Sequence, residues 1–243
     1  MGTVKILNQT LKAPLSFMGQ CAGIAYDSDT VDYQKCYKRG LSCVKDGHYR
    51  MLEFCDIYFE LEGYSIRVIR EFMRHVGDGL TVIQRSTRYC NESEFDYYIP
   101  PAIEKDYNAR GRYMDMMEEI NAAYKDLIDS YGISKEDAAG ILPLNMSTTL
   151  AVKHNARTMM NMAEQRLCSR TYIEFRQLMR DFLTALSEYS EEWHVLCSMI
   201  MKCKCVKVGW CEEHQSCGRY PKKEDTIVVP IGKDSNPNEF DNK

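Results

Sequence analysis

Between residues 55 and 61 apolar and polar side chains alternate without interruption: Cys55, Ile57, Phe59 and Leu61 against Asp56, Tyr58 and Glu60. A strand turns successive side chains to opposite faces, so this alternation marks a strand with one buried face. We read residues 52–61 as that strand, ended by Gly63. Ser65 then opens a helix, with Ile66, Ile69, Phe72 and Met73 at helical spacing. A second strong constraint lies at residues 172–186. There Phe175, Leu178, Met179, Phe182, Leu183 and Leu186 follow the i, i+3, i+4, i+7 rhythm of an amphipathic helix.

The rest of the chain reads less sharply. Residues 4–7 form a strand candidate. The next fifty residues or so, with Gly40 and Gly47 and many isolated polar side chains, suggest loops and short helices. Gly77 and Gly79 break the helix opened by Ser65, and residues 80–89 follow as an extended or looped segment. Residues 95–101 are extended and end in prolines. A long helix is expected over residues 112–131, with Tyr113, Met116, Met117, Ile120, Tyr124, Leu127 and Ile128 on its apolar face and Gly132 as its stop. Ser134 and Asp137 resemble a capping box for a short helix before Pro143. Another helix is expected over residues 149–167. The Met and aromatic stripes of these helices are read as core packing.

Hydrophobic residues make up 44% and charged residues 27%, an ordinary globular balance. One domain over residues 1–223 and a polar tail over 224–243 fit the length of 243. The net charge of −4 gives no reason to expect nucleic acid, so an anionic ligand must be held by a local cluster of cations. No apolar stretch is long enough to span a bilayer, and residues 1–16 lack a signal pattern. We therefore expect no membrane partner and a cytoplasmic location. In such a reducing compartment the 11 cysteines read as free thiols.

Chemistry-bearing residues concentrate in two segments. In residues 70–89, Arg70, Arg74, Arg85 and Arg88 gather positive charge, with His75, Ser86 and Thr87 between them. Guanidinium forks grip phosphate and hydroxyls complete the oxygen shell, so a nucleotide phosphate or diphosphate fits. A charged surface helix and loop would look similar. In residues 155–176, Asn155, Arg157, Asn161, Arg166, Glu174 and Arg176 sit on or between apolar-striped helices. Carboxamides can read the edge of a flavin or pyrimidine, although solvated helix faces carry the same residues.

Together these segments resemble the flavin-dependent thymidylate synthases. That family has an Arg-His-Arg start and a Ser-x-Arg-Tyr end. Here Arg74-His75-Val76 and Ser86-Thr87-Arg88-Tyr89 stand in those places, followed by Tyr98-Ile99-Pro100. Gly47-His48 and Glu53 lie upstream. Leu142-Pro143, Asn155-Ala156-Arg157, Asn161, Arg166 and Glu174 lie downstream at the family's spacing. The chain departs from the pattern at Val76, usually Arg, at Gln84, usually Glu, and at Ala139, where Arg is frequent. The stretch from His75 to Ser86 carries a Gly77-Asp78-Gly79 insert.

The resemblance implies an α+β fold, an antiparallel or mixed sheet packed with long helices. It implies reductive methylation of dUMP to dTMP, with methylenetetrahydrofolate as carbon donor and FAD, reduced by NADPH, as hydride carrier. Arg166 would be the catalytic cation against the uracil. Glu71, Arg74, Gln84, Arg85, Ser86, Thr87 and Arg88 would bind dUMP with it. Arg74, His75, Val76, Gln84, Asn155, Arg157 and Asn161 would bind FAD. The family is tetrameric with shared active sites, so a homotetramer is implied. Two alternatives keep the fold: another pyrimidine-nucleotide modification such as hydroxymethylation, permitted by the altered loop, and a non-catalytic flavin or nucleotide binder.

Residues 203–217 form a cysteine-rich element, with Cys203, Cys205, Cys211, His214 and Cys217. Thiolates and imidazole are zinc ligands, but the spacing is not that of paired C-x2-C knuckles. Reduced thiols packed around Trp210 are the preferred reading, and no resident metal is expected.

Overall fold

The computed structural model describes residues 2–75 and 79–226. Its first compact unit spans Met1–Cys203. The fold is α+β. Four strands, β1 (Thr3–Ile6), β2 (Asp56–Ser65), β3 (Thr81–Gln84) and β4 (Ser147–Asn155), form one sheet in the order β1-β2-β4-β3. All three pairings are antiparallel. Nine helices accompany the sheet within the described residues of this unit: α1 (Pro14–Ala25), α2 (Tyr33–Lys45), α3 (Ile66–Phe72), α4 (Pro101–Glu104), α5 (Tyr107–Asp129), α6 (Lys135–Ala138), α7 (Ala156–Arg166), α8 (Ile173–Tyr189) and α9 (Glu191–Ile200).

The alternation in β2 sets one face inward. Ile57, Phe59 and Leu61 are fully buried, while Asp56, Tyr58 and Glu60 are half-buried. Leu150 and Val152 of β4 join them in a core shared with α3, α7, α8 and α9. Phe59 touches Phe182 of α8 at 4.9 Å between centroids and Phe72 of α3 at 6.3 Å. Each such buried ring contributes roughly 1.5–3 kcal/mol by transfer from water.

Several boundaries differ from those read in the sequence. Residues 49–54 form a 3-10 turn (Tyr49–Phe54), so β2 starts later than expected. It also runs past Gly63. Pairing slips between Glu62 and Tyr64, and Gly63 takes φ +73° there. A bulge of this kind needs a residue free to adopt positive φ, so the glycine bends the strand rather than ending it. Residues 149–167 are not one helix. The first part is β4, in which Thr148, Leu150, Val152 and His154 point inward in period two, and the helix begins only at Ala156. The β-branched Thr148, Thr149 and Val152 favour the strand.

The region expected to hold loops and short helices contains two helices of 12 and 13 residues, α1 and α2. Their backbones touch. A Cβ on Gly19 would collide with the Cys36 carbonyl oxygen, and one on Gly40 with that of Leu15. The glycines that suggested loops are therefore contact points between helices. Helix α9 was not foreseen. Ser190 caps it by accepting the Trp193 N–H, and the Trp193 indole is wholly buried. Helix α5 begins earlier than expected and packs less. On its apolar face only Met117 and Tyr124 are buried. Ser134 does cap α6, accepting the Asp137 N–H at 3.1 Å.

The second unit, Lys204–Lys243, holds α10 (Lys204–Val208) and a backbone bond from the Cys211 N–H to the Pro221 carbonyl. Most of the expected polar tail lies outside the described residues. Among the described residues, no group of three or more His, Cys, Asp or Glu side chains is placed to hold a metal ion. No described helix is long and apolar enough to cross a membrane.

Candidate active site

Two strand-to-helix turns build the site. At the end of β2, Ser65 caps α3 by accepting the Val68 N–H at 3.2 Å. Glu174 of α8 holds Ser65 in turn, accepting its N–H at 2.7 Å and its hydroxyl at 2.6 Å. At the end of β4, Asn155 caps α7 by accepting the Thr158 N–H at 2.9 Å. Because β2 and β4 are antiparallel neighbours, α3 and α7 set out from opposite ends of the sheet and feed one core. They meet where α3 has ended and α7 is about to end.

The meeting point is a bond between residues 91 apart in sequence. Arg166 Nε–H donates to His75 Nε2 at 2.7 Å. The guanidinium lies over the Phe175 ring at 5.0 Å, and Phe175 meets the His75 ring edge-on at 5.9 Å. Glu71 stands 3.9 Å from Arg166 and 3.8 Å from Arg74, so its carboxylate balances two cations loosely. Burial, with the adjacent Arg166 and His154, pushes the His75 pKa down to about 4. The ring is therefore neutral near pH 7 and can accept from Arg166. Behind it lies His154, fully buried at the end of β4. Its Nε2 is 3.3 Å from the His75 carbonyl oxygen, and its Nδ1 accepts the Asn155 N–H at 3.1 Å. Burial lowers its pKa as well.

Beside this cluster a cleft of about 470 Å³ is lined by Arg67, Arg70, Glu71, Met73, Arg74 and Leu144. Arg67, Arg70 and Arg74 follow i, i+3, i+7 spacing, which puts three cations on one side of α3 and its exit. Arg67 stacks on Tyr172 at 4.5 Å.

The segment after β3 is held differently. Arg85 donates from Nε to the buried Glu92 at 2.9 Å and from its terminal nitrogen to the Asn91 carbonyl at 3.3 Å. Arg88 pairs with Glu136 at 2.8 Å. Ser86 forms a turn, its carbonyl accepting from the Tyr89 and Cys90 N–H groups. Gln84 reaches Thr148 at 3.4 Å. Among the described residues no hydrogen bond or ion pair joins residues 85–88 to Arg166 or His75. Arg157 lies over the Tyr49 ring at 5.4 Å, and Asn161 is exposed on α7. Val76 lies outside the described residues.

The sequence reading thus named Arg166, His75, Arg74 and Glu71, which the fold brings together. It missed Arg67, Phe175 as a support for Arg166, and His154. Arg67 was visible as the first member of an i, i+3, i+7 cationic row. His154 was hidden by the helix expected over 149–167. In the strand register it is a polar residue at an inward position, which is the signal to look for.

A family model described as thymidylate synthase complementing protein matches residues 6–190. The chain belongs to this family. Relatives of the family are named flavin-dependent thymidylate synthase. That of Nitratidesulfovibrio vulgaris is 30% identical over 192 residues, 75% of this chain and 76% of its own. That of Clostridium tetani is 30% identical over 157 residues, 58% of this chain and 62% of its own. That of Pyrococcus furiosus is 28% identical over 171 residues, 69% of each. The matched span contains the whole Arg166–His75 cluster and the cationic row of α3. The cysteine-rich element lies beyond it.

Proposed function

We propose that the chain reductively methylates dUMP to dTMP, taking the carbon from methylenetetrahydrofolate and the hydride from FAD that NADPH has reduced. The observation that carries this reading is the Arg166–His75 bond within a chain of this family. It holds a guanidinium on a neutral ring, against an aromatic face, with other donor atoms left to face a ligand. A cation fixed before reaction stabilises charge that develops on a pyrimidine, and it acts most strongly where water is excluded. Arg166 would face the uracil and favour ionised N3.

The donor set beside it suits a flavin nucleotide. Arg70 and Arg74 are exposed over the cleft, and Arg70 has no ion pair among the described residues. An unpaired guanidinium beside one held only loosely by Glu71 suits a diphosphate. Arg74, His75, Val76, Gln84, Asn155, Arg157 and Asn161 would hold FAD. Glu71, Arg74, Gln84, Arg85, Ser86, Thr87 and Arg88 would hold dUMP. For that, Arg85 and Arg88 must exchange Glu92 and Glu136 for phosphate. Among the described residues no hydrogen bond or ion pair joins residues 85–88 to Arg166, and this supports a homotetramer in which different subunits supply the two halves of a site.

The test is the visible absorption spectrum of the purified protein with FAD, before and after dUMP is added. A flavin spectrum that shifts with dUMP supports one pocket for both, and the product mass then separates methylation from hydroxymethylation. No bound flavin and no response to dUMP would overturn the reading.

A further inference from the structure

We propose that His154 is a positioning residue: it ties the N-terminus of α7 to the backbone of His75 and so sets the ring on which Arg166 rests. The proposal rests on the active-site reading above for what Arg166 does, but its geometry stands without that reading.

The proton positions follow from the partners. The Asn155 N–H can only donate, so His154 Nδ1 must be the bare nitrogen. A neutral imidazole then carries its proton on Nε2, where it donates to the His75 carbonyl. Arg166 Nε–H likewise can only donate, so His75 Nε2 is bare and Nδ1 carries the proton. The result is one continuous set of assigned bonds, from the Asn155 backbone through His154 to the His75 backbone and from the His75 ring to Arg166. Each imidazole takes a single tautomer. His154 is 0% exposed, so a purely apolar residue would fill the position at least as well, and the Asn155 N–H would lose an acceptor.

The link has a purpose that simple packing lacks. His75 lies past the C-terminal end of α3, where, among the described residues, α3 offers it one backbone bond, from its N–H to the Phe72 carbonyl. Tethering its carbonyl to the sheet fixes the Cα about which the ring turns. The groups around the pair are Arg166 from α7, Glu71 and Arg74 from α3 and its exit, and Asp56 from β2, itself paired with Lys153 at 2.9 Å. Charge on either ring would put two N–H groups nose to nose, at Asn155 for His154 and at Arg166 for His75.

The experiment uses the full chain labelled with 15N-histidine, without added nucleotide, at pH 7. Long-range 15N–1H correlation spectra report which nitrogen of each ring is protonated. The five histidines are assigned by single substitution. The expected result is His154 as the Nε2–H form and His75 as the Nδ1–H form. Either ring in the opposite form, or doubly protonated, overturns the proposal with no variant needed. His154→Gln keeps a donor and an acceptor, and His154→Leu removes both. In the leucine variant the His75 ring should become a mixture of tautomers and dUMP affinity should fall about tenfold, while glutamine restores both. A folded leucine variant with an unchanged His75 spectrum and unchanged dUMP affinity would make His154 only a filler. If the wild-type tautomers are as expected but no dUMP binds and no product forms, the functional reading fails and the link remains.

Discussion

At the scale of single residues the proposed site centres on one cation and one neutral base. Arg166 is half-buried, bonded to His75 and stacked on Phe175. Arg166→Ala should lower turnover by about 10²–10³-fold, the usual cost of losing one fixed stabilising group. Flavin binding should survive, because the cationic row of α3 is untouched. Single-turnover flavin oxidation with dUMP present, set beside a flavin titration, checks both halves. Near-normal turnover would mean that another group stabilises the pyrimidine. His75 adds a pH dependence to folding. Its folded pKa of about 4 lies below the ordinary 6.5, so between those values the unfolded chain holds a proton that the folded chain lacks. Stability should therefore be full above about pH 6.5 and fall as pH drops toward 4. This group's share is an upper bound of about 3 kcal/mol, lowered further by solvent screening of a ring that is only partly buried. Urea midpoints from pH 4 to 7, for the protein and for His75→Gln, would show it. Equal slopes in both proteins would assign the dependence to other groups.

At the scale of elements the recurrent device is a carboxylate that fastens a helix to its neighbour. Glu174 holds the Ser65 cap of α3, and Glu192 of α9 accepts from the Ser16 backbone and hydroxyl on α1 and from Tyr33 on α2. Ser65→Ala removes the cap of α3 and strands part of a buried carboxylate, so we expect a loss of about 2–3 kcal/mol in chemical denaturation. Gly19→Ala should cost as much or more, because α1 and α2 must part to admit a methyl group. These two elements also show where a sequence is legible. The stripe of α8 and the alternation of β2 are dictated by one-sided burial, and both could be read directly. Helices α1 and α2 could not, because their contact rests on two glycines, which pattern reading takes for breaks. Helix and strand were confused at 149–155 because Thr149, Leu150 and Val152 satisfy either spacing over so short a run. That error concealed His154, while Arg166, His75 and Asn155 stood out by their charge and amide chemistry together with the family spacing rather than by periodicity.

At the scale of the whole molecule the proposed homotetramer makes a prediction about which chains supply each site. Residues 85–88 are held by Glu92 and Glu136, and Arg166 by His75, with no bond between the two groups among the described residues. Helix α5 leaves Tyr113, Met116, Ile120, Leu127 and Ile128 half-buried along a 23-residue helix, a face suited to further contact. If each site takes Arg88 from one subunit and Arg166 from another, two crippled variants can rescue each other. Arg88→Ala and Arg166→Ala should each be slowed by about 10²-fold or more as homomers. Co-expressed with separate tags and purified as mixed assemblies, they should regain roughly a quarter of the wild-type rate, because random assembly gives one site in four both arginines. A site made within one chain predicts no rescue at any ratio, since every chain then lacks one of the two. Mass measurement of the same mixed sample shows that exchange has occurred. Absence of rescue in a verified mixed assembly would therefore place both arginines in one subunit, and would require the 85–88 segment to leave its two carboxylates and fold over Arg166.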